Sequence, residues 1–151
     1  MIEFKLLTYE AISLGEEFMS DDFLIKPEDV ETFAYAVDDQ DPLYFEDGPL
    51  GGPVVHPVLL GNQAVMLRHS KYIVPAGLHA KMDFEFVAPL RIGMRVRSYG
   101  KVVDKYEKRD RHYVVTAFET KDEESGTVLV RGQFTQMVFP ESGVHRETKN
   151  R

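Results

Sequence analysis

The sequence predicts an α+β domain, in which one long helix is buried in the concave face of a strongly curved antiparallel sheet. Three observations carry this. Residues 57–72 (PVLLGNQAVMLRHSKY) present a broad apolar surface at helical spacing. From Leu78 onward the apolar period changes to two and persists through four strand-length segments. Gly, Pro and charged clusters fall between those segments, where turns belong. A single helix covers only part of one sheet face, and an open sheet leaves strand edges. Two copies pairing edge to edge remove that problem, so a homodimer or a higher oligomer of such dimers is expected.

The elements follow in order. Residues 1–22 read as irregular, with Tyr9, Ile12, Leu14 and Phe18 as apolar anchors and Gly15 as a turn. Residues 23–25 are a short strand. Pro27 suits the first turn of a helix over 28–38, since its missing N–H would have no helical partner. Glu28 and Asp29 complement the positive end of that helix, and Asp38 and Asp39 oppose its negative end and stop it. Residues 47–57 (DGPLGGPVVHP) form a loop dense in Gly and Pro. Pro57 then opens the long helix, where Gly61 is tolerable if something approaches the backbone closely. The strands are 78–88, 96–105 with Gly100 as a possible bulge, 112–120, and 128–139. Residues 105–111 form a charged hairpin tip and 122–126 a second turn. Residues 1–140 make one domain, and 141–151 a polar tail.

Composition narrows the function. The 151 residues contain no cysteine, which excludes disulfides, thiolate metal sites and a cysteine nucleophile. The formal net charge of −7 argues against nucleic acid as the main partner. No apolar run approaches the roughly 20 residues of a membrane span. The N-terminus lacks a signal-peptide core, so a mature cytoplasmic protein is expected. The five histidines show no metal-ligand spacing, and no Gly-x-Ser-x-Gly elbow exists, so neither a metal nor a catalytic serine is expected.

The chemistry concentrates in residues 33–47, FAYAVDDQDPLYFED. Five of the fifteen residues are carboxylates, and none has a Lys or Arg neighbour within the stretch. Carboxylates beside an aromatic wall are candidates for a raised pKa and for acid/base work. Asp39 reads either as a catalytic carboxylate or as an acceptor for loop amides. Asp38 and Asp41 suit turn positions. Tyr44 is a site residue or simple packing beside Leu43 and Phe45. His56 is the histidine nearest this stretch, and a satisfied loop histidine is the alternative.

Four segments, in order, resemble the MaoC-like branch of the hotdog fold, which includes the R-specific enoyl-CoA hydratases and dehydratases. TYEAISLGEEF is similar to that family's opening. FAYAVDDQDPLYFED resembles its hydratase motif, Phe-Ala-x-x-x-Gly-Asp-x-Asn-Pro-x-His-x-Asp. VVHPVLLGN resembles its Val-His-Gly lead into the central helix, and FEFVAPLRIGMRV its Phe-x-x-Pro-x-x-x-Gly-Asp-x-Val junction. The resemblance spans roughly residues 7–139. It implies an acyl-thioester substrate, on coenzyme A or an acyl carrier protein, with no separate cofactor. It places the catalytic Asp at Asp39, the Asn position at Asp41 and the Pro at Pro42.

The family's catalytic His position falls on Tyr44, and its helix-opening Gly on Pro57. An imidazole exchanges a proton near pH 7, whereas a tyrosine starts near 10. Pro57 has no N–H to offer a thioester oxygen, which leaves the amide of Val58 or a neighbour. Asp39, Tyr44 and His56 are therefore the expected catalytic residues. Asp41, Pro42, Val58, Gly61 and Asn62 are expected to line the substrate. The function expected is acyl-thioester hydration or dehydration. The alternatives are a non-catalytic acyl-thioester binder that supports a partner, and thioester hydrolysis. The basic residues of 91–111 read as a solvated face or as contacts to coenzyme A phosphates.

Overall fold

The computed structural model describes residues 3–49 and 51–141. The tail expected at 141–151 therefore lies, from residue 142, outside the described residues. Within them no helix is long and apolar enough to cross a membrane.

Two short strands occupy the segment expected to be irregular: β1, Lys5–Leu6, and β2, Glu17–Met19. Neither is long enough to show a period, because both are created by distant partners. β1 pairs in parallel with β4, Tyr72–Ile73, and β2 lies against the long strand β6, Arg95–Lys108. The next strand, β3, is Phe23–Leu24 and also pairs with β6. Helix α1 is Pro27–Ala36, with Pro27 in its first turn as expected. Its end is set by Val37 and by Asp38, whose φ of 55° is left-handed. The motif has glycine at this position, and aspartate is among the few other residues that tolerate the conformation.

The central helix is shorter than 57–72. Helix α2 is Leu59–Val65, continued by a tighter 3-10 turn over Met66–Ser70. At its start the bonds Leu59 N–H to His56 O and Leu60 N–H to Pro57 O close short i to i+3 turns, so Pro57 sits in a lead-in rather than in the helix. Leu60, Ala64 and Leu67 are fully buried, in one core cluster with Val102, Val114, Phe118 and Phe134. Gly61 is explained by packing. A Cβ there would come within 2.8 Å of the Phe84 ring.

The remaining strands are β5, Leu78–Phe86; β7, Arg111–Asp122; and β8, Val128–Met137. The main sheet runs β2-β6-β7-β8-β5, with β3 also on β6. The charged tip between β6 and β7 is tighter than 105–111. Pairing continues to Lys108↔Arg111, so the turn is Arg109 and Asp110 alone, with φ of 52° and 59°. Two positive φ angles match the twist of a two-residue hairpin. The bulge in β6 falls between Val102 and Asp104, not at Gly100. Gly100 instead leaves room for Leu67, whose Cδ1 would lie 2.7 Å from an added Cβ.

Two polar groups anchor the helix region. Arg68 is buried, donates to Gln136 Oε1, to Thr116 Oγ1 at 2.9 Å and to the Val114 carbonyl at 3.3 Å, and lies over the Phe134 ring. Burial holds its pKa down to about 10. Tyr72 donates to the Glu16 carboxylate at 2.9 Å, tying β4 to the opening loop. Its phenol is pushed up to about 12, by burial first and by the Glu16 hydrogen bond second. A raised folded-state pKa contributes stability that is complete below the unfolded value of about 10 and drains as pH rises through 12. Tm measured against pH should therefore fall between pH 10 and 12, and Tyr72→Phe should remove that part of the decline.

Candidate active site

The turn after α1 and the lead-in to α2 bring Asp39 and His56 together. The Asp39 amide donates to the Ala34 carbonyl at 2.9 Å, which fixes its backbone at the helix end. Asp41 then caps the 3-10 turn Pro42–Tyr44, its Oδ1 accepting the Leu43 N–H at 2.9 Å. That turn aims Tyr44 back, so its hydroxyl donates to Asp39 Oδ2 at 3.0 Å. His56 Nε2 lies 3.3 Å from the same oxygen. Asp39 Oδ1 accepts the Asp41 amide at 3.4 Å.

His56 is held on every side. Its ring lies 5.0 Å from that of Phe33 and 5.2 Å from that of Tyr44. Its Nδ1 accepts the Val58 amide at 3.3 Å. An imidazole that accepts at Nδ1 carries its proton on Nε2, which then points at Asp39. The side chain of His56 is 17% exposed and that of Asp39 42%, so the carboxylate is the member more open to solvent. Tyr44 is pushed above the usual phenol range, by burial first and then by its bond to Asp39 and the nearby negative charge. It stays a hydrogen-bond donor at neutral pH.

An apolar cavity of about 300 Å³ is bounded by residues on either side of His56 in sequence, although Asp39, Tyr44 and His56 do not themselves line it. Val55 and Pro57, the residues flanking His56, line it together with Val54, Phe86, Val87 and Leu90. A larger concavity of about 800 Å³ lies against the sheet strands, contains none of the expected site residues, and is bordered by charged side chains such as Glu85, Lys101 and Arg131.

The expected residues thus divide. Asp39, Tyr44 and His56 meet. Asp41 and Pro42 build the turn that places Tyr44, and both are exposed. The Val58 amide is bonded to His56, and Gly61 is buried beneath Phe84, while Asn62 is exposed. Phe33 and Phe86 are site neighbours that sequence reasoning missed. Phe33 opens the motif, and that position was the available signal. Among the described residues no cluster of His and carboxylates could hold a metal.

This fold is the hotdog arrangement of the MaoC-like dehydratases and R-hydratases. A monoamine oxidase regulatory protein from Archaeoglobus superposes with a TM-score of 0.80 at 20% identity, covering 93% of this chain and 99% of that one. The R-hydratase PhaJ1 of Pseudomonas aeruginosa gives 0.78 at 17% identity, covering 91% and 89%. A MaoC-like dehydratase from Rhodospirillum rubrum gives 0.74 at 19% identity, covering 89% and 98%. No family model and no curated protein sequence matches the chain.

Proposed function

We propose that the protein is an acyl-thioester hydratase or dehydratase in which His56 stands in for the histidine that Tyr44 replaces. The observation that carries this reading is the meeting of Asp39 with His56, two residues from separate loops, beside an apolar cavity. In hydration, water adds its oxygen to the β-carbon of an enoyl thioester and a proton reaches the α-carbon. Asp39 Oδ2 is occupied by Tyr44 and His56, so Oδ1, which meets only the Asp41 amide at 3.4 Å, takes the proton from water as the water oxygen bonds the β-carbon and then delivers that same proton to the α-carbon. The His56 Nε2–H and the Tyr44 hydroxyl hold the carboxylate in place, and the cavity takes the start of the acyl chain. Dehydration uses the same atoms in reverse. The substrate class comes from the likeness to R-hydratases and dehydratases.

The test is turnover of crotonyl-CoA and longer enoyl-CoAs by the purified protein, followed by loss of the conjugated enoyl absorbance. Hydration that disappears in Asp39→Asn supports the reading. Release of free CoA without hydration would assign thioester hydrolysis instead. Ligand-induced stabilisation without either reaction would assign a binding subunit.

We further propose that two copies pair through β5. Among the described residues this strand has one sheet neighbour, β8, and its other edge is open. Leu78 and Phe86 at its two ends and Val87 just beyond it are 56%, 47% and 48% exposed. An open apolar edge invites strand pairing. Sedimentation should show a dimer, and Leu78→Asp with Val87→Asp should yield monomer. A wild-type monomer at tens of micromolar would contradict the pairing.

A further inference from the structure

The β6–β7 hairpin carries a cleft at the other end of β5 from the Asp39–His56 pair. Lys81, Lys108, Arg109 and Arg111 surround a concavity of about 420 Å³, and no carboxylate lines it. This is unusual placement in a chain of formal net charge −7. Asp83 pairs with Lys81 at 2.9 Å, but among the described residues Lys108, Arg109 and Arg111 have no acidic partner. The two-residue turn fixes Arg109 beside the strand ends, so Lys108, Arg109 and Arg111 sit together at the tip of a long hairpin.

The same cleft contains an aromatic surface. Tyr106 and Tyr113 are cross-strand partners with ring centroids 5.0 Å apart and planes within 18°. Neither hydroxyl makes a hydrogen bond to protein among the described residues, and Lys81 lies within electrostatic range of Tyr106. Flat aromatic faces beside clustered guanidinium groups suit a base and its phosphates at once. The cleft is the size of a small-molecule site, bounded by the hairpin tip, Lys81 of β5 and Thr135 of β8, whereas a polymeric nucleic acid needs a longer basic track.

We propose that this cleft binds a phosphorylated nucleotide, with the tyrosine pair against the base and the hairpin cations on the phosphates. Two sources share that chemistry: a free nucleotide, and the nucleotide end of a coenzyme A thioester. The second rests on the acyl-thioester reading above. At about 3.3 Å per residue, Lys81 and Phe86 are roughly 17 Å apart along β5, within the reach of an extended thioester arm.

The experiment is calorimetric titration of the full chain with adenosine 3′,5′-bisphosphate, tripolyphosphate and adenosine. The bisphosphate should bind at a single class of sites, more tightly than either of the others. Arg109→Ala with Arg111→Ala should weaken it about tenfold or more, and Tyr106→Ala should also weaken it. Absence of saturable binding at millimolar bisphosphate would overturn the proposal. So would binding that the arginine variant leaves unchanged, or tripolyphosphate binding as tightly as the nucleotide. None of these readouts needs turnover, so failure here is separable from failure of the proposed reaction. Given turnover, the arginine variant should raise KM for an enoyl-CoA but not for the enoyl-pantetheine if the thioester is the source. Weakened bisphosphate binding with both KM values unchanged identifies a free nucleotide.

Discussion

Asp39→Asn lowers kcat/KM for enoyl-thioester hydration by about 10²–10⁴-fold, the range expected for loss of a general base. The amide keeps the size of the carboxylate and can still meet His56 and Tyr44, but it cannot take a proton from water. Tm should therefore change little while turnover collapses, which separates a chemical role from a structural one. His56→Gln should cost about tenfold or more, because Nε2 orients the oxygen that Asp39 does not use. Tyr44→Phe removes a 3.0 Å bond to the same oxygen and should cost less than His56→Gln, since His56 still holds it.

The largest stability effect is expected at Arg68. Arg68→Ala should destabilise the fold by about 3–5 kcal/mol, through a cavity in the core and the loss of the donor to the buried Gln136 and Thr116 side chains. Gln136, Thr116 and the Val114 carbonyl all lose a donor together. Among the described residues no carboxylate is a partner of Arg68, so the cost of burying its charge is met by neutral acceptors and the Phe134 ring. Arg68→Met fills the volume and should lose less. Combining it with Gln136→Leu removes one stranded acceptor and should recover part of the loss. Urea denaturation of the four proteins of that cycle checks this. Equal stability of Arg68→Ala and wild type would show that the arginine is not holding the central helix to the sheet.

The parts of the fold legible in the sequence were those with a long period. Four strands and two helices announced themselves because each is long enough to repeat its pattern. β1, β2 and β4 were invisible or misread because two- and three-residue strands exist only through their partners. The length of α2 was overestimated because an apolar stripe looks the same through a 3-10 turn as through an α-helix. Gly61 and Gly100 show a related limit. Each marks a close approach, but only the fold shows that Phe84 and Leu67 are what approaches.

The site was legible to a similar depth. Residues 33–47 pointed to Asp39 and Tyr44, and the Val-His lead-in pointed to His56. That His56 Nε2 faces Asp39 depends on a tautomer set by the Val58 amide, which no linear pattern encodes. The same bond occupies the amide that the sequence offered for the thioester oxygen. Backbone geometry after a proline decides both facts together.

If Asp39 and His56 act as one unit, the Asp39→Asn/His56→Gln cycle on enoyl-CoA hydration shows it. Strong non-additivity is expected, with the double variant no slower than Asp39→Asn alone. Independent, multiplying losses, or full activity in His56→Gln, would contradict it.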